Sequence, residues 1–319
     1  MTNSATKSPV LMGMDGGGTT TKTWLADSEG RVLGQGEGGP TNIKVVGPKA
    51  AMTELDMSIL SAFHDAGIDP CPIEVSCLGL AGFDRPADRA WLQNWAEGSS
   101  WVRRLLLVND GDLVVAAGTP EGWGVGVIAG TGSIAVGRGQ DGSKARSGGW
   151  GYVFGDEGSG YAVAVSALRR IARFADGRDS RGGSEDDPLT RRICAALGIS
   201  GPSGLVAGVY DERFNRAKVA MLAVEVIAAA NEDSSVVDEI LEPAGVELAQ
   251  MVLAVAAKIG VRSGPLPLAM AGSFLLSCPC VSRVLIHRLA GAGYQVHPTP
   301  VPNPVEGALV LARQEWESR

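Results

Sequence analysis

Short apolar runs alternate with stretches of helical periodicity over the first third of the chain. The runs VLMGMD (10–15), EVSCLGLAG (74–82) and RRLLLVND (103–110) have the length and apolar content of buried strands. The segments 48–67 and 84–97 repeat apolar residues at the three- and four-residue spacing of a helix that packs on a core. Strands that alternate with helices are typical of an α/β sheet, and this region therefore predicts an α/β fold class.

A meander with a glycine-rich first turn occurs twice. In the first copy, strand 10–15 is followed by a turn of glycines and threonines, by TKTWLAD (21–27) and by a third strand after a short hairpin. In the second copy, residues 124–149 run strand, turn, strand and hairpin, with Gly130 at the position that corresponds to Gly18. Internal similarity of this kind predicts two related domains.

After the second meander the pattern is mostly helical. Segments 216–230 and 246–260 carry wide apolar faces, and each predicts one helix. PLPLAMAGS (265–273) predicts a further buried strand, and a last helix is expected to start near Pro304. The charged segment 175–188 predicts a solvated loop.

Composition and charge exclude several classes of partner. The chain has 319 residues, 45% of them apolar, which is enough for two domains with cores of their own. Its net charge of −7 disfavours a phosphate backbone as partner, so we expect no nucleic acid. No stretch approaches the roughly 18 uncharged residues of a spanning helix, and the N-terminal residues lack a signal-peptide core. We therefore expect no membrane contact and a cytoplasmic location.

The cysteines and histidines predict no metal site. The five cysteines form no C-x-x-C pair, and the three histidines lack metal-ligand spacing. We expect reduced, mostly buried thiols and structural histidines.

The turn DGGGTTT (15–21) carries the first candidate chemistry. Its glycines and threonines offer backbone N–H groups and hydroxyls to an anion, and Asp15 would repel that anion unless a cation stood between them. Mg²⁺ commonly takes only one or two protein carboxylates together with phosphate oxygens. Asp15 is therefore predicted to lie on the magnesium side of a phosphate site, and a tight hairpin is the alternative interpretation. The turn lacks the Walker lysine, because Thr19 follows Gly18.

Four motifs in a fixed order carry a family resemblance: GMDGGGTTTK, GTGSIA, GGWGYVFGDEGSGY and LAMAGS. Together they resemble the BadF/BadG/BcrA/BcrD ATPase family, most closely its N-acetylglucosamine kinase branch, within the actin, sugar kinase and Hsp70 superfamily. The resemblance implies two actin-like (ribonuclease H-like) ATPase domains with an interdomain nucleotide and sugar cleft. The implied boundaries are 1–119 with 302–319 for the first domain and 120–301 for the second. A homodimer is also implied.

The resemblance implies ATP and Mg²⁺ as cofactors and an amino-hexose as the acceptor, N-acetylglucosamine at its 6-hydroxyl. Asp15 is implied at the metal. The positions implied for ATP are Gly16, Gly17, Gly18, Thr19, Thr20, Lys22, Gly130, Thr131, Gly132, Gly272 and Ser273. The positions implied for the sugar are Asn42, Asp110, Thr131, Gly149, Trp150, Gly151 and Asp156.

Asp110, at the end of LLLVND, is the candidate general base. A carboxylate there can accept the proton of the attacking hydroxyl, and such assistance is typically worth about 10²- to 10⁴-fold in rate. Asp112, at a position where human-type kinases of the branch have alanine, is a rival for the same role. Asn109, Asp110 and Asp112 also suit a helix cap, which is the structural alternative.

Three other functions stay open at this point. One is a kinase for glucosamine or another hexose derivative. Another is an iron–sulfur ATPase activator of an acyl-CoA dehydratase or reductase, for which Cys278 and Cys280 are the candidate thiols, although no cysteine lies near the GTGS turn. The third is a non-catalytic sugar sensor, which the absence of a helix-turn-helix segment before Val10 disfavours.

Overall fold

The structure is a computed structural model that describes residues 9–81, 83, 86–178, 187–210 and 215–318. Residues 179–186 of the predicted solvated loop lie outside this description. The chain divides into two compact units, residues 1–122 with 303–319 and residues 123–302. Each unit contains one five-stranded sheet covered by helices.

The first unit opens with the predicted meander. Its strands are β1 (Val10–Gly16), β2 (Thr21–Asp27), β3 (Val32–Gly38), β4 (Val75–Leu80) and β5 (Leu105–Val108). The sheet order is β3-β2-β1-β4-β5, with β1, β2 and β3 antiparallel and β1, β4 and β5 parallel. The helices of this part are α1 (Ile43–Val46), α2 (Pro48–Ala66), α3 (Pro86–Gly98) and α4 (Asp110–Gly118).

Helix α2 packs on β3 through alternate small residues. Proline at its first position and Gly67 with a left-handed φ of 63° after its end define its limits. A Cβ on Gly34 or Gly36 would collide with the backbone of α2 near Ala62. The glycines of β3 are therefore required by the close approach of this helix.

The second unit repeats the same topology. Its strands are β6 (Gly124–Ala129), β7 (Ser133–Arg138), β8 (Lys144–Gly148), β9 (Gly264–Ala271) and β10 (Tyr294–Pro300). Their order is β10-β9-β6-β7-β8, which is the order of the first sheet with β6 in the place of β1. The α/β fold class and the recurrence of the meander are both confirmed. Strand β10 was not predicted, because Pro298 and Pro300 argue against a strand; it lies at the edge of the sheet, where proline is tolerated.

The helices of the second unit connect β8 to β9 and β9 to β10. They are α5 (Gly160–Ala175), α6 (Pro188–Leu197), α7 (Leu205–Val209), α8 (Arg216–Met221), α9 (Ala223–Ala230), α10 (Ser234–Val236), α11 (Glu242–Lys258), α12 (Ser273–Ser277) and α13 (Pro279–Gly291). A π-helical turn, Val237–Leu241, joins α10 to α11. The single helix predicted over 216–230 is wrong: the chain breaks at Leu222 into α8 and α9.

One helical stretch in the described part of the chain, Ser234–Lys258, is long and apolar enough to cross a membrane. A bent pair of helices, Pro188–Leu197 and Pro202–Val209, meets the same criteria only when counted as one span. In Ser234–Lys258, 56% of the most apolar window is buried within the protein. That burial is typical of a helix in a protein core.

The last helix, α14 (Val305–Glu317), belongs to the first unit. It packs against β1 and α4, and a glycine at each contact lets the backbones come close together. A Cβ on Gly13 would lie 2.7 Å from the backbone nitrogen of Leu309, and a Cβ on Gly307 would collide with the carbonyl of Leu113. Helix α14 thereby fixes β1, which carries Asp15 and Gly16, and α4, which carries Asp110.

Candidate active site

Asp15 lies at the end of β1, where the strand leaves the sheet. Its cross-strand partner is Lys22 on β2, and it stands next to Gly79 on β4. The pKa of the Asp15 carboxyl is raised to about 6, chiefly by burial and also by the nearby charge of Asp110, while Lys22 lowers it. A carboxylate at this strand end provides a hard oxygen ligand and the negative charge that suit Mg²⁺.

The first glycine turn connects Asp15 to β2. The Gly17 nitrogen donates to the carbonyl of Thr20 at 3.1 Å, and the Gly17 carbonyl accepts from the nitrogens of Thr41 and Asn42 at 3.1 and 3.2 Å. A Cβ on Gly16 would collide with Thr41 and Leu80, so packing alone requires that glycine. The nearest atoms to a Cβ on Gly17 or Gly18 are 3.9 Å away. Packing does not require glycine at these two positions. The Gly17 backbone is engaged in hydrogen bonds within the protein, whereas Gly18 is exposed and its backbone is accessible to a ligand.

Asn42 and Lys22 lie beside this turn with defined contacts. Asn42 caps α1: its Oδ1 accepts from the Lys44 nitrogen at 3.0 Å. The cap uses only the oxygen of the side-chain amide, so the nitrogen is the group that suits a sugar hydroxyl. Lys22 donates through Nζ to Oδ1 of Asn303 at 3.0 Å, and this contact holds the lysine at the base of the turn.

Asp110 is the first residue of α4, not the end of a strand. Strand β5 ends at Val108, and the prediction of a strand through 110 is wrong because Asn109 caps the following helix. Asn109 and Asp112 form a capping box, in which Asp112 Oδ2 accepts from the Asn109 nitrogen at 3.4 Å. Asp110 Oδ1 accepts from the Gly111 nitrogen at 2.9 Å.

The two candidate bases have different neighbours. The charge of Asp110 raises the pKa of Asp15, which places Asp110 beside the glycine turn. The pKa of the Cys77 thiol is raised to about 12, chiefly by burial and also by the charge of Asp112. Cys77 is a fully buried core residue. Asp110 is thus the carboxylate on the side of the candidate site, and Asp112 is engaged in capping.

The second glycine turn lies between β6 and β7. The Gly130 nitrogen donates to the carbonyl of Gly132 at 3.0 Å, and the Gly130 carbonyl accepts from the Gly160 nitrogen at 2.8 Å. Thr131, at the tip, is exposed. This turn corresponds in position to the first one, because both follow the first strand of a meander, which is the central strand of its sheet.

A small cavity adjoins the second turn and brings predicted residues together. Its volume is about 140 Å³. Gly130, Thr131 and Ser273 line it, as expected of a shared phosphate and adenosine site. Gly272, with a φ of 92° and no room for a Cβ against Ala129, places Ser273 at the start of α12. The lining residues that sequence analysis missed are Gly160, Ala217, Ala220, Met221, Ala223, Val224, Ile227, Phe274 and Ser277.

The segment 148–158 presents an aromatic side chain to solvent. Gly148, Gly149 and Gly151 have φ of 78°, 71° and 87°, which only glycine adopts readily. Between them Trp150 is 62% exposed, and the guanidinium carbon of Arg146 lies 5.4 Å from its ring centroid. An exposed indole on a glycine-rich segment suits stacking on a sugar face.

Asp156 is buried, in contrast to Trp150. Its side chain is 4% exposed and pairs with Arg216, a residue that sequence analysis did not single out. Its Oδ1 also accepts from the Ser133 nitrogen at 3.3 Å. The carboxylate is therefore occupied by protein partners, and a direct contact between Asp156 and sugar stays a prediction.

The described residues contain no cluster of three or more His, Cys, Asp or Glu side chains that could hold a metal ion. A cation that takes one protein carboxylate and otherwise binds phosphate and water fits Asp15. Cys278, one of the two thiols considered for an iron–sulfur cluster, is only 1% exposed. Its burial disfavours a cluster held between two chains.

Comparison with known proteins places the chain in a family. The sequence profile of the BadF/BadG/BcrA/BcrD ATPase family matches residues 12–312. The N-acetylmuramic acid/N-acetylglucosamine kinase of Clostridium acetobutylicum is 29% identical over 265 residues, which are 83% of this chain and 85% of that protein. The N-acetyl-D-glucosamine kinase of Dictyostelium discoideum is 30% identical over 271 residues, 79% of this chain and 81% of that protein.

A crystal structure gives the same result for the fold. It is that of a Chromobacterium violaceum protein whose assignment as an N-acetylglucosamine kinase is provisional. The likeness has a TM-score of 0.75 at 29% identity and covers 96% of this chain and 99% of that one. This confirms the predicted fold class of actin-like ATPase domains. The chain belongs to the BadF/BadG/BcrA/BcrD ATPase family.

Proposed function

We propose that this protein is an ATP-dependent amino-hexose kinase that transfers the γ-phosphoryl group to the 6-hydroxyl of N-acetylglucosamine. The observation that carries the proposal is the pair Asp15 and Asp110 beside an open glycine turn, with the pKa of Asp15 raised to about 6. Phosphoryl transfer needs an aligned acceptor oxygen and neutralised phosphate charge. The relatives named as N-acetylglucosamine kinases support the choice of acceptor.

Asp110 is the proposed general base. The Gly111 nitrogen donates to Oδ1 of Asp110, which fixes the orientation of the carboxylate at the start of α4. The carboxylate would accept the proton of the sugar hydroxyl as that oxygen attacks the phosphorus. Asn42 and Trp150 are proposed to hold the sugar, one by hydrogen bonding and the other by stacking.

Asp15 would hold Mg²⁺. When bound, the ion supplies positive charge to the phosphate oxygens of ATP. The backbone of Gly18 in the first unit and the turn at Thr131 in the second are proposed to bind phosphate. The cavity lined by Ser273 is proposed to receive the nucleoside.

A coupled assay of ADP release tests this function. The acceptors are N-acetylglucosamine, glucosamine, N-acetylmannosamine, glucose and N-acetylmuramic acid, whose lactyl ether leaves the 6-hydroxyl intact. We expect the highest kcat/KM with N-acetylglucosamine, and ³¹P NMR of the product should show a 6-phosphate. Sugar binding in calorimetry without ADP release from any acceptor would refute the kinase and favour a sugar sensor.

A further inference from the structure

A partly buried ion pair lies directly behind the second glycine turn. Arg216, the first residue of α8, donates through Nη2 to Oδ2 of Asp156. The Asp156 side chain is 4% exposed and that of Arg216 is 38% exposed. A carboxylate this buried needs a charge partner, because the loss of that partner would leave an uncompensated charge in the protein interior.

This pair fixes the geometry of the turn. Asp156 Oδ1 accepts from the Ser133 nitrogen at 3.3 Å, so the carboxylate joins Arg216 to the turn backbone. A Cβ on Gly132 would lie 2.6 Å from Nη2 of Arg216 and 2.9 Å from Oδ1 of Asp156. The ion pair therefore fills the space directly under the turn.

The same pair also fixes the aromatic segment 148–158. The guanidinium carbon of Arg216 lies 5.3 Å from the ring centroid of Tyr152, a cation–π contact. Tyr152 in turn packs edge-on against Tyr161 of α5, with centroids 5.4 Å apart. Asp156 has a φ of 61°, the single positive φ at a non-glycine residue in the described parts of the chain. Such a backbone persists only where its surroundings hold it.

Arg216 is also joined to the nucleoside cavity by its own helix. The next residues of α8, Ala217, Ala220 and Met221, line that cavity. A nucleoside that packs against α8 therefore stabilises the element that positions Arg216. Arg216 therefore has three connections. It pairs with Asp156 under the second glycine turn, it contacts Tyr152 of the segment 148–158, and it is the first residue of α8, a helix that lines the cavity.

We propose that Arg216 is a positioning residue that couples occupancy of the nucleoside cavity to the conformation of residues 149–158. Bound nucleotide holds α8, Arg216 holds Asp156, and Asp156 holds both the turn at Thr131 and the segment that carries Trp150. ATP therefore orders the aromatic segment before the sugar binds. The effect of this coupling on catalysis rests on the proposed kinase function, whereas the coupling between nucleotide and segment does not depend on that function.

Hydrogen–deuterium exchange of the full chain tests the coupling without catalysis. Exchange of residues 149–158 is measured with and without Mg²⁺ and a non-hydrolysable ATP analogue, in the absence of sugar. We expect the analogue to slow exchange of this segment about fivefold or more in the wild type, the lower range of typical coupling between sites. Arg216→Gln should lose the effect, and Arg216→Lys, which keeps the charge, should keep part of it.

Two further variants complete the test, one as a control and one as an alternative to Arg216→Gln. Arg262→Gln removes an exposed arginine from the same unit and should behave as the wild type. If Arg216→Gln does not fold, Asp156→Asn removes the same charge pair and should show the same loss. Persistence of the nucleotide effect in Arg216→Gln or Asp156→Asn, or its absence in the wild type, would overturn the proposal.

Kinetics separate this inference from the proposed function. In a working kinase, Arg216→Gln should lower kcat about tenfold or more and abolish the effect of nucleotide on sugar affinity. Segment protection by nucleotide in a wild type that phosphorylates no amino sugar would refute the kinase and leave the coupling intact. A working kinase without such protection would refute the coupling alone.

Discussion

Asp110 and Asp112 lie two residues apart on α4, and their surroundings assign them different roles. Asp110 influences Asp15 at the glycine turn, whereas Asp112 caps the helix and influences the buried Cys77. We expect Asp110→Asn to lower kcat by about 10²- to 10⁴-fold, because the amide cannot accept the hydroxyl proton. Calorimetry should find the affinities for ATP and sugar changed by less than about threefold, since the amide keeps the shape of the side chain.

The matched control is Asp112→Asn on the same helix turn. It weakens the capping box, which is typically worth about 1 kcal/mol of stability, and should lower Tm while most activity remains. Thermal melts and ADP release on the two variants distinguish the roles. An inactive Asp112→Asn beside an active Asp110→Asn would reverse the assignment of the base.

Asp15 is expected to reduce the stability of the fold when no cation is bound. Its pKa of about 6 exceeds the ordinary value of about 3.9 for the unfolded chain, so the folded state binds this proton more tightly. The free energy of unfolding should therefore fall as pH rises from about 3 to about 7, by about 3 kcal/mol for this group. Urea unfolding across this range without Mg²⁺ measures the loss.

The variant Asp15→Asn tests whether the charge of Asp15 destabilises the fold, because it removes that charge. Without Mg²⁺ at pH 7.5 it should unfold at higher urea than the wild type, because the costly charge is gone. It should also lose most of the Mg²⁺ dependence of nucleotide affinity. A variant that is less stable than the wild type and binds ATP with undiminished Mg²⁺ dependence would show that Asp15 is an ordinary structural carboxylate.

At the scale of elements, the first turn contains glycines with two different functions. Gly16 is required by packing against Thr41 and Leu80, whereas a Cβ on Gly18 would be 3.9 Å from its nearest neighbour. We expect Gly16→Ala to destabilise the protein by about 1–3 kcal/mol through overpacking. Gly18→Ala should leave Tm within about 2 °C of the wild type and weaken ATP binding, because its methyl group would occupy space left for phosphate.

Denaturation and nucleotide titration of the two alanine variants measure these effects. Equal losses of stability would mean that Gly18 is a structural glycine like Gly16. Unchanged ATP affinity in a stable Gly18→Ala would remove the turn from the nucleotide site.

The elements that sequence analysis predicts best are those with strong local patterns. Strand β2 is predicted with its observed bounds, 21–27, because its run is closed by a glycine turn on one side and a hairpin on the other. Strand β10 is missed because two prolines contradict the local pattern, and only its place at the sheet edge makes them acceptable. The break at Leu222 is missed because apolar residues continue through it without a change in period.

The residues of the candidate site also divide into those that a local sequence pattern reveals and those that it does not. Asp15, Asp110 and Thr131 are recognisable because each belongs to a contiguous motif with few structural explanations. Arg216 cannot be recognised from the sequence, because its role depends on the ion pair with Asp156, which lies 60 residues earlier in the chain. The lining of the nucleoside cavity is equally hidden, since alanines and valines on a helix predict only a core face.

At the scale of the molecule, the chain leaves the first unit after Gly122 and returns to it at Asn303. The returning helix α14 completes a core cluster with Leu11, Val75, Cys77 and Leu113, to which it contributes Ala308 and Ala312. The first unit is therefore complete only when the last residues of the chain have folded onto it. The second unit is continuous in sequence, which predicts that a defect in α14 should affect the two units unequally.

Gly307→Ala creates such a defect, because its Cβ would collide with the backbone of Leu113. Two buried thiols report on the two units: Cys77 in the first, 0% exposed with its pKa raised to about 12, and Cys278 in the second, 1% exposed. We expect Gly307→Ala to speed labelling of Cys77 by iodoacetamide, read by mass spectrometry, and to leave Cys278 unchanged.

The matched control is Gly291→Ala at the end of α13 in the second unit, where a Cβ would meet nothing within 4 Å. It should label like the wild type at both cysteines. Labelling that accelerates equally at Cys77 and Cys278 in Gly307→Ala would mean that the two units open together. The chain would then unfold as one cooperative body, and α14 would stabilise the whole molecule rather than the unit it packs on.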